Sequence, residues 1–369
     1  MNKIKKIAFL DFDDIKNPLL NGGQARATYE VGRRLCKRGY KVTVYCSSYP
    51  GSIDRIENGI EYKHISFGSK HIRLNNIFYI LTIPFHIRKI EADIIIESFV
   101  APISTLCSPL FTKIPVIALP SMFNAKAFTK KYILPFHWFE RFGSRFYKYF
   151  VPYSEVDLNK MLEMNPSVDY RIIPQGVDEK YFKIIHKKPK YILYLSRLDI
   201  EQKGIDLLLK SYSLVAKKLN YPLVIAGHGP DQKKVDRLIK DLNLEEKVKL
   251  VGPVYGSKKY KLISEAVFVA FPSRHDELSL WALEAFASGL PIVAFNLPES
   301  SWMGNKACLK AKPFDLEEYA KLLIKATKNP LNKKMRIAAR KVARNYKWGK
   351  VASQFDKFIR EILKKESLK

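Results

Sequence analysis

Short apolar runs alternate along the chain with longer segments of helical periodicity. Ile7-Ala-Phe-Leu10 is the first run; a loop rich in Asp and Asn, then Asn21-Gly-Gly-Gln24, separate it from a predicted helix at about Ala25 to Lys37. Val42-Thr-Val-Tyr45, Glu61-Tyr-Lys-His-Ile65, Ala92-Asp-Ile-Ile-Ile96 and Val116-Ile-Ala-Leu119 read as further strands, with a helical segment reaching about Lys89 and another around Pro102 to Phe111. Val42-Thr-Val-Tyr45 is β-branched, as is typical of strands in a parallel sheet. After a charged connector, Glu179 to Lys190, the alternation restarts with strands at Tyr191 to Leu195, Leu223 to Ala226, Val248 to Val251, Ala266 to Phe271 and Ile292 to Phe295. Between them the pattern predicts helices from Ile205 to Lys218, from an Asp231 cap to about Leu242, near Ser257 to Glu265, and after Ser279, where Gly289 and Pro291 force a stop. The chain ends in helices at Leu316 to Ala326, Lys333 to Asn345 and from Lys347. Val351, Phe355, Phe358, Ile359 and Ile362 give the last one an apolar stripe that must pack on a domain surface. Two β-α alternations in 369 residues predict an α/β chain of two doubly wound domains, with ligands beyond the carboxyl ends of the strands.

Charge adds a class of partner. Lys and Arg number 64 against 36 acids, a formal net charge of +28, which favours phosphorylated ligands, anionic lipid surfaces or nucleic acid. Zinc-type spacing, an RNA-binding aromatic signature and a basic heptad region are all lacking, so no nucleic acid partner is expected. Cys36, Cys46, Cys107 and Cys308 lie far apart, as buried thiols of a reducing cytoplasm do. The apolar start ends at Asp11, Asp13 and Asp14 and reads as a strand rather than a signal peptide, and Ile77 to Ile87 is too short to span a bilayer. Between Phe128 and Phe150 aromatic and basic residues interleave: Phe139, Phe142, Phe146 and Tyr149 follow helical spacing, with Arg141, Arg145 and Lys148 on a neighbouring face. This segment is either a basic amphipathic helix resting on an anionic membrane or a core helix with a solvated basic edge.

Three loops carry candidate chemistry. Gly22 and Gly23, after the first strand, form either a simple turn or a loop whose free N–H groups cradle phosphate. Arg197 and Lys203 share the loop after Tyr191 to Leu195, as a diphosphate-binding pair or as surface charge. Asp276, before the helix that Ser279 caps, and Glu284 within it either face a ligand at the helix N-terminus or complement its dipole.

Taken in order, Gly22-Gly23, Ile173-Pro-Gln-Gly-Val-Asp178, Ser196-Arg-Leu with Lys203-Gly204, Ala226-Gly-His-Gly-Pro230, and Pro272-Ser-Arg-His-Asp276 through Glu284-Ala285 with Gly289-Leu-Pro291 resemble the retaining GT-B glycosyltransferases of family 4. The resemblance covers nearly the whole chain. It implies the GT-B fold: two Rossmann-like domains facing a cleft, an acceptor-side domain over 1–185, a nucleotide-sugar domain over 186–345, and a C-terminal helix over 346–369 crossing back onto the first domain. It further implies a metal-independent hexosyltransferase with no cofactor, using a UDP- or GDP-linked sugar as substrate. Arg197 and Lys203 would hold the donor diphosphate and Gly22 and Gly23 would approach it; Asp276 would hold the donor sugar near the Ser279 and Leu280 backbone, and Glu284 the ribose. Asp276, Arg197 and Lys203 are then the catalytic set. The chain departs from the family where Asp276-Glu277 replaces the usual Glu and Gly, and where Pro120-Ser-Met-Phe-Asn124 lacks a His many relatives carry, leaving Ser121 and Asn124 as acceptor-side candidates.

The preferred expectation is transfer to a lipid-linked or polysaccharide acceptor by a cytoplasmic enzyme, peripheral on the inner face of the cell membrane. The alternatives are a non-catalytic GT-B protein that binds nucleotide or glycan, and a sugar-nucleotide epimerase.

Overall fold

The computed structural model describes residues 4–20, 22–101, 104, 106–120, 123, 125–276, 278–329 and 332–368. The chain divides into two units, Met1–Gln175 with Trp348–Lys369, and Gly176–Lys347.

The first unit is built on strands β1 (Lys6–Leu10), β2 (Lys41–Ser47), β3 (Arg55–Glu57), β4 (Ile60–Ile65), β5 (Ile94–Ser98), β6 (Val116–Leu119), β7 (Tyr149–Phe150) and β8 (Asp169–Tyr170), in the order β3-β4-β2-β1-β5-β6-β7-β8. Every pairing is parallel except β3 with β4. Its helices are α1 (Gly23–Cys36), α2 (Ile72–Ile87), α3 (Ala125–Tyr132), α4 (Phe136–Gly143) and α5 (Glu155–Met164). The sheet is buried on both faces. Ile7, Phe9, Val42 and Ile96 pack with α1 residues in one cluster; Leu10, Ile95 and Ala118 pack with Tyr79 and Ile83 of α2 in another.

The second unit carries β9 (Tyr191–Leu195), β10 (Leu223–Ala226), β11 (Val248–Gly252), β12 (Ala266–Phe271), β13 (Ile292–Phe295) and β14 (Cys308–Ala311), all parallel, in the order β11-β10-β9-β12-β13-β14. Helices α6 (Glu179–Phe182), α7 (Ile200–Lys203), α8 (Ile205–Ser213), α9 (Gln232–Asp241), α10 (Gly256–Glu265), α11 (Leu280–Ser288), α12 (Leu316–Lys328) and α13 (Lys333–Ala343) complete it. The last helix, α14 (Trp348–Ser367), belongs to the first unit. Its predicted stripe, Val351, Phe355, Phe358, Ile359 and Ile362, is buried beside Val31 and Leu35 of α1, each large side chain contributing roughly 1.5–3 kcal/mol. Asp356 fixes its register, accepting from Tyr40 Oη at 2.7 Å and Arg38 at 2.8 Å.

Four local readings change. The aromatic-basic segment is not one helix: α4 stops at Gly143, a 3₁₀ turn covers Ser144–Phe146, and Tyr149 is a buried strand residue. Gly143 lies so close to the Leu106 carbonyl that a Cβ would stand 2.1 Å from its oxygen. Between Pro102 and Phe111 the described residues form only a 3₁₀ turn, Ser108–Phe111. Asp231 precedes α9 without capping it; its carboxylate accepts from Ile200 N at 2.9 Å instead. Strands β3, β7 and β14 were not anticipated. The four cysteines are free, Cys46 and Cys308 buried and the others half-buried.

Candidate functional site

Among the parallel strands of each sheet the order reverses once, between β1 and β5 and between β9 and β12. Loops leaving the carboxyl ends of two strands at such a reversal diverge and open a crevice. In the second unit these are the loops that carry Arg197 with Lys203 and Asp276 with Ser279. A cavity of about 770 Å³ in that unit lies near the starts of β9 to β11, lined by Tyr191, Pro222 and Val248, away from these loops.

The loop after β9 is zipped to the loop after β10. Ser196 N donates to Ala226 O at 3.1 Å, Leu198 N to His228 O at 3.2 Å and Asp231 N to Leu198 O at 3.1 Å. Only glycine permits this approach: a Cβ on Gly227, at φ +143°, would lie 1.9 Å from Ser196 O, and one on Gly229 would lie 2.3 Å from Leu198 O. The Ala226-Gly-His-Gly-Pro230 motif therefore shapes the loop that presents Arg197. Arg197 itself is over half exposed and is held by Asp199 and Gln202, each at 2.8 Å.

The loop after β12 is fixed to the same place by Arg274. Its guanidinium forms a two-pronged pair with Asp206, both contacts at 2.7 Å, and donates to Ile200 O at 2.6 Å, while its backbone N donates to Gln202 O at 3.0 Å. The hydrogen bonds to Asp206 raise the Arg274 pKa further. Asp276 and Lys203 are thereby brought together, Nζ to Oδ2 at 2.6 Å, with both side chains largely buried. Gly204, at φ +62°, ends α7 and starts α8, and a Cβ there would meet Pro272 O at 2.2 Å. Ser279 caps α11 as predicted, its hydroxyl accepting from Ala282 N at 3.5 Å, with Leu280 as first helical residue. Glu284 lies within α11, paired with Lys259 at 2.5 Å, and it also hydrogen-bonds the Tyr181 hydroxyl, which burial and this carboxylate hold well above the usual tyrosine range. Asp206, Arg274 and Lys259 were not singled out by sequence reasoning; only the position of Arg274 beside Asp276 hinted at a role.

In the first unit Gly22 precedes α1, but its N–H is not free. It donates to Asp13 Oδ2 at 2.6 Å. Asp11, Asp13 and Asp14 in the preceding loop are all buried. Burial pushes Asp11 up to about 7 despite a hydrogen bond from Thr28, and Asp13 up to about 6. Burial acts on Asp14 in the same direction, but hydrogen bonds from Arg55 and His64 outweigh it and hold Asp14 well below the usual range. Asp14, Cys46 and His64 present ligand atoms within 4.8 Å of one another, yet Arg55 takes both Asp14 oxygens, at 2.6 and 2.7 Å. Ser121 and Asn124 lie outside the described residues.

The raised Asp11 pKa has a thermodynamic consequence. Its protonated form stabilises the fold fully below about pH 4, and that contribution is lost as pH rises through about 7. Asp11→Asn does not titrate, so its stability relative to the parent grows from pH 4 to 8 by a few kcal/mol, at ~1.4 kcal/mol per pKa unit. Urea titrations of both proteins across that range measure the difference; a difference independent of pH would overturn the assignment.

Two family models match in tandem, "Glycosyltransferase Family 4" at residues 21–181 and "Glycosyl transferases group 1" at residues 177–343. The chain belongs to the GT-B glycosyltransferases of family 4. Solved structures have the same two-domain Rossmann-like fold over nearly their whole length. Sucrose-phosphate synthase from Thermosynechococcus elongatus is 16% identical, with a TM-score of 0.79 over 97% of this chain and 99% of that one. A glycosyltransferase from Rickettsia africae is 20% identical, with a TM-score of 0.72 over 98% and 99%. HepE of Anabaena, solved with UDP and glucose, is 15% identical, with a TM-score of 0.74 over 96% and 99%. No curated protein sequence matches. In this glycosyltransferase the second-unit loops at the strand reversal, together with α11, hold all the residues expected to contact the donor except Gly22 and Gly23, which sit at the reversal of the first.

Proposed function

We propose that this glycosyltransferase moves a sugar, with retention of configuration, from a UDP- or GDP-linked donor onto a lipid-linked or polysaccharide acceptor at an anionic membrane surface. The observation that carries the donor half is the convergence of Lys203 and Asp276 at the β9/β12 reversal, beside Arg197 and the capped N-terminus of α11. Two cations and free helix N–H groups suit a leaving diphosphate, in the role a divalent ion fills in other transferases. A carboxylate 2.6 Å from one of those cations suits the hydroxyls of the sugar bonded to it. Glu284 would then take the ribose. The solved HepE complex with UDP-glucose supports this class of donor.

Charge and exposure support the membrane half. Residues 62–90 and 98–139 contain no Asp or Glu, and Ile77, Leu81 and Phe85 of α2 and Trp138, Phe139 and Phe142 of α4 are exposed. Apolar side chains on segments that carry Lys and Arg but no acid suit the surface of an anionic bilayer. No helix among the described residues is long and apolar enough to cross a membrane. The competing reading, a binding protein without turnover, draws on Asp276 in place of the usual Glu and on the Asp13 carboxylate that occupies the Gly22 N–H.

The test is a thermal-shift panel of UDP-, GDP- and ADP-sugars, followed by turnover of whichever stabilises the protein and flotation with anionic vesicles. Stabilisation with transfer, and flotation that weakens with salt, are expected. Stabilisation without turnover across acceptors would favour the binding protein, and absence of flotation at moderate salt would remove the membrane half.

A further inference from the structure

A second polar cavity, of about 380 Å³, lies wholly within the first unit, between α3, α4 and α5. Its lining is charged. Lys126 comes from α3, Arg141 and His137 from α4, and Lys160 and Glu163 from α5, with Phe123 and Met164 as the apolar part of the wall. Glu140, from α4, also lines it. That side chain is 8% exposed, the Ala125 N–H bonds its carboxyl, and its Oε1 has no hydrogen-bond partner. A buried carboxyl oxygen left unsatisfied is unfavourable unless a ligand or water meets it.

The electrostatic balance decides what would meet it. Burial pushes Glu140 up to about 7, against the lowering influence of Lys160 and of the Ala125 N–H. A neutral carboxyl whose other oxygen accepts from Ala125 carries its proton on Oε1, the atom without a partner, and so presents a donor. Three cations then face one exposed carboxylate, Glu163. Lys126 and Arg141 form no ion pair among the described residues. Cationic donors and a carboxylic O–H match an anion with several acceptor oxygens and oppose a cationic ligand.

We propose that the cavity between α3, α4 and α5 is a phosphoryl-binding site, with Lys126, Arg141 and Lys160 as its cations and Glu140 as a hydrogen-bond donor. The site adjoins the exposed Trp138 and Phe139 of α4, so a lipid headgroup on a membrane and a free phosphodiester are both sources of the same group. Only the lipid source rests on the membrane reading above; the binding chemistry does not.

The experiment uses the full chain and glycerophosphoglycerol, a soluble phosphodiester whose charge is constant near neutrality. Calorimetry is run from pH 6 to 8 on the parent and on Lys126→Met, Lys160→Met and Glu140→Gln, alongside flotation with phosphatidylglycerol vesicles. Each lysine variant is expected to bind about tenfold more weakly, as loss of a charge-assisted hydrogen bond implies. Parent affinity falls as pH rises and Glu140 ionises. Glu140→Gln keeps a donor without a charge, so it retains binding and removes the pH dependence that Glu140 imposes. Binding of the soluble diester with these effects supports a site open to free ligand. Binding of vesicles alone, weakened in the lysine variants, supports a headgroup site. Absence of both, or binding that the lysine variants leave unchanged, overturns the proposal. Donor hydrolysis, measured on the same preparations, draws on Arg197, Lys203 and Asp276 of the second unit; its persistence beside a failed cavity rejects the cavity alone.

Discussion

Lys203→Ala lowers the rate of sugar transfer by about 10²–10³-fold, the range observed when one group that stabilises developing negative charge is removed. Two features place Lys203 ahead of Arg197. Its side chain is 15% exposed against 56% for Arg197, so its charge acts in a drier setting where each interaction is worth more. Removing it also leaves the Asp276 carboxylate, itself largely buried, without its 2.6 Å partner. Arg197→Ala, whose guanidinium stays near solvent and is already held by Asp199 and Gln202, produces the smaller loss. Single-turnover rates with a saturating donor make the comparison; they separate the bond-breaking step from donor binding. Equal losses in the two variants would mean that burial does not rank them. No loss in either would remove the diphosphate assignment.

What the sequence disclosed about this site follows the range of its interactions. Apolar runs and glycine punctuation placed β9, β12 and α11 within a residue or two, since strand burial and helix stops are local properties. Arg197, Lys203, Asp276, Ser279 and Glu284 were legible as a set only because their order resembles a family, not because any spacing joins positions 203 and 276. The contacts that hold the set in place were invisible. Arg274 reaches Asp206 and Lys259 reaches Glu284 across folded loops, and many Lys, Arg and Asp in this chain could have been paired equally well on paper. Asp13 illustrates the same point from the other side: two glycines before a helix predict free N–H groups, and a carboxylate nine residues upstream removes one of them. The glycines at 227 and 229 were recognised as a motif, and their reason is steric: the carbonyls of Ser196 and Leu198 occupy the space a Cβ needs. Likewise the helical spacing from Phe139 to Tyr149 is real over α4 but ends where Gly143 meets the Leu106 carbonyl, a contact with no trace in the local pattern.

Asp276→Ala is the complementary experiment, and its expected signature is a split between chemistry and binding. Transfer falls by about 10²-fold or more, because a carboxylate that positions sugar hydroxyls acts on the geometry of attack, whereas affinity for the nucleoside diphosphate alone does not fall. The ion pair sharpens this. Lys203 Nζ lies 2.6 Å from Asp276 Oδ2, so a diphosphate must share that ammonium with a carboxylate of its own sign. Without Asp276 the ammonium is wholly available, and nucleoside diphosphate binds as tightly as in the parent or more so. The two residues therefore couple, and the double variant with Lys203→Ala loses less transfer than the single losses multiplied together. Titration of UDP and GDP into both single variants and the double variant, with rates measured on each, closes the cycle. A parallel fall in nucleotide affinity and transfer on removing Asp276 would assign it to the loop's structure. Strictly additive losses would mean that the contact between the two side chains has no part in donor handling, and Lys203 would then hold the diphosphate without reference to the sugar.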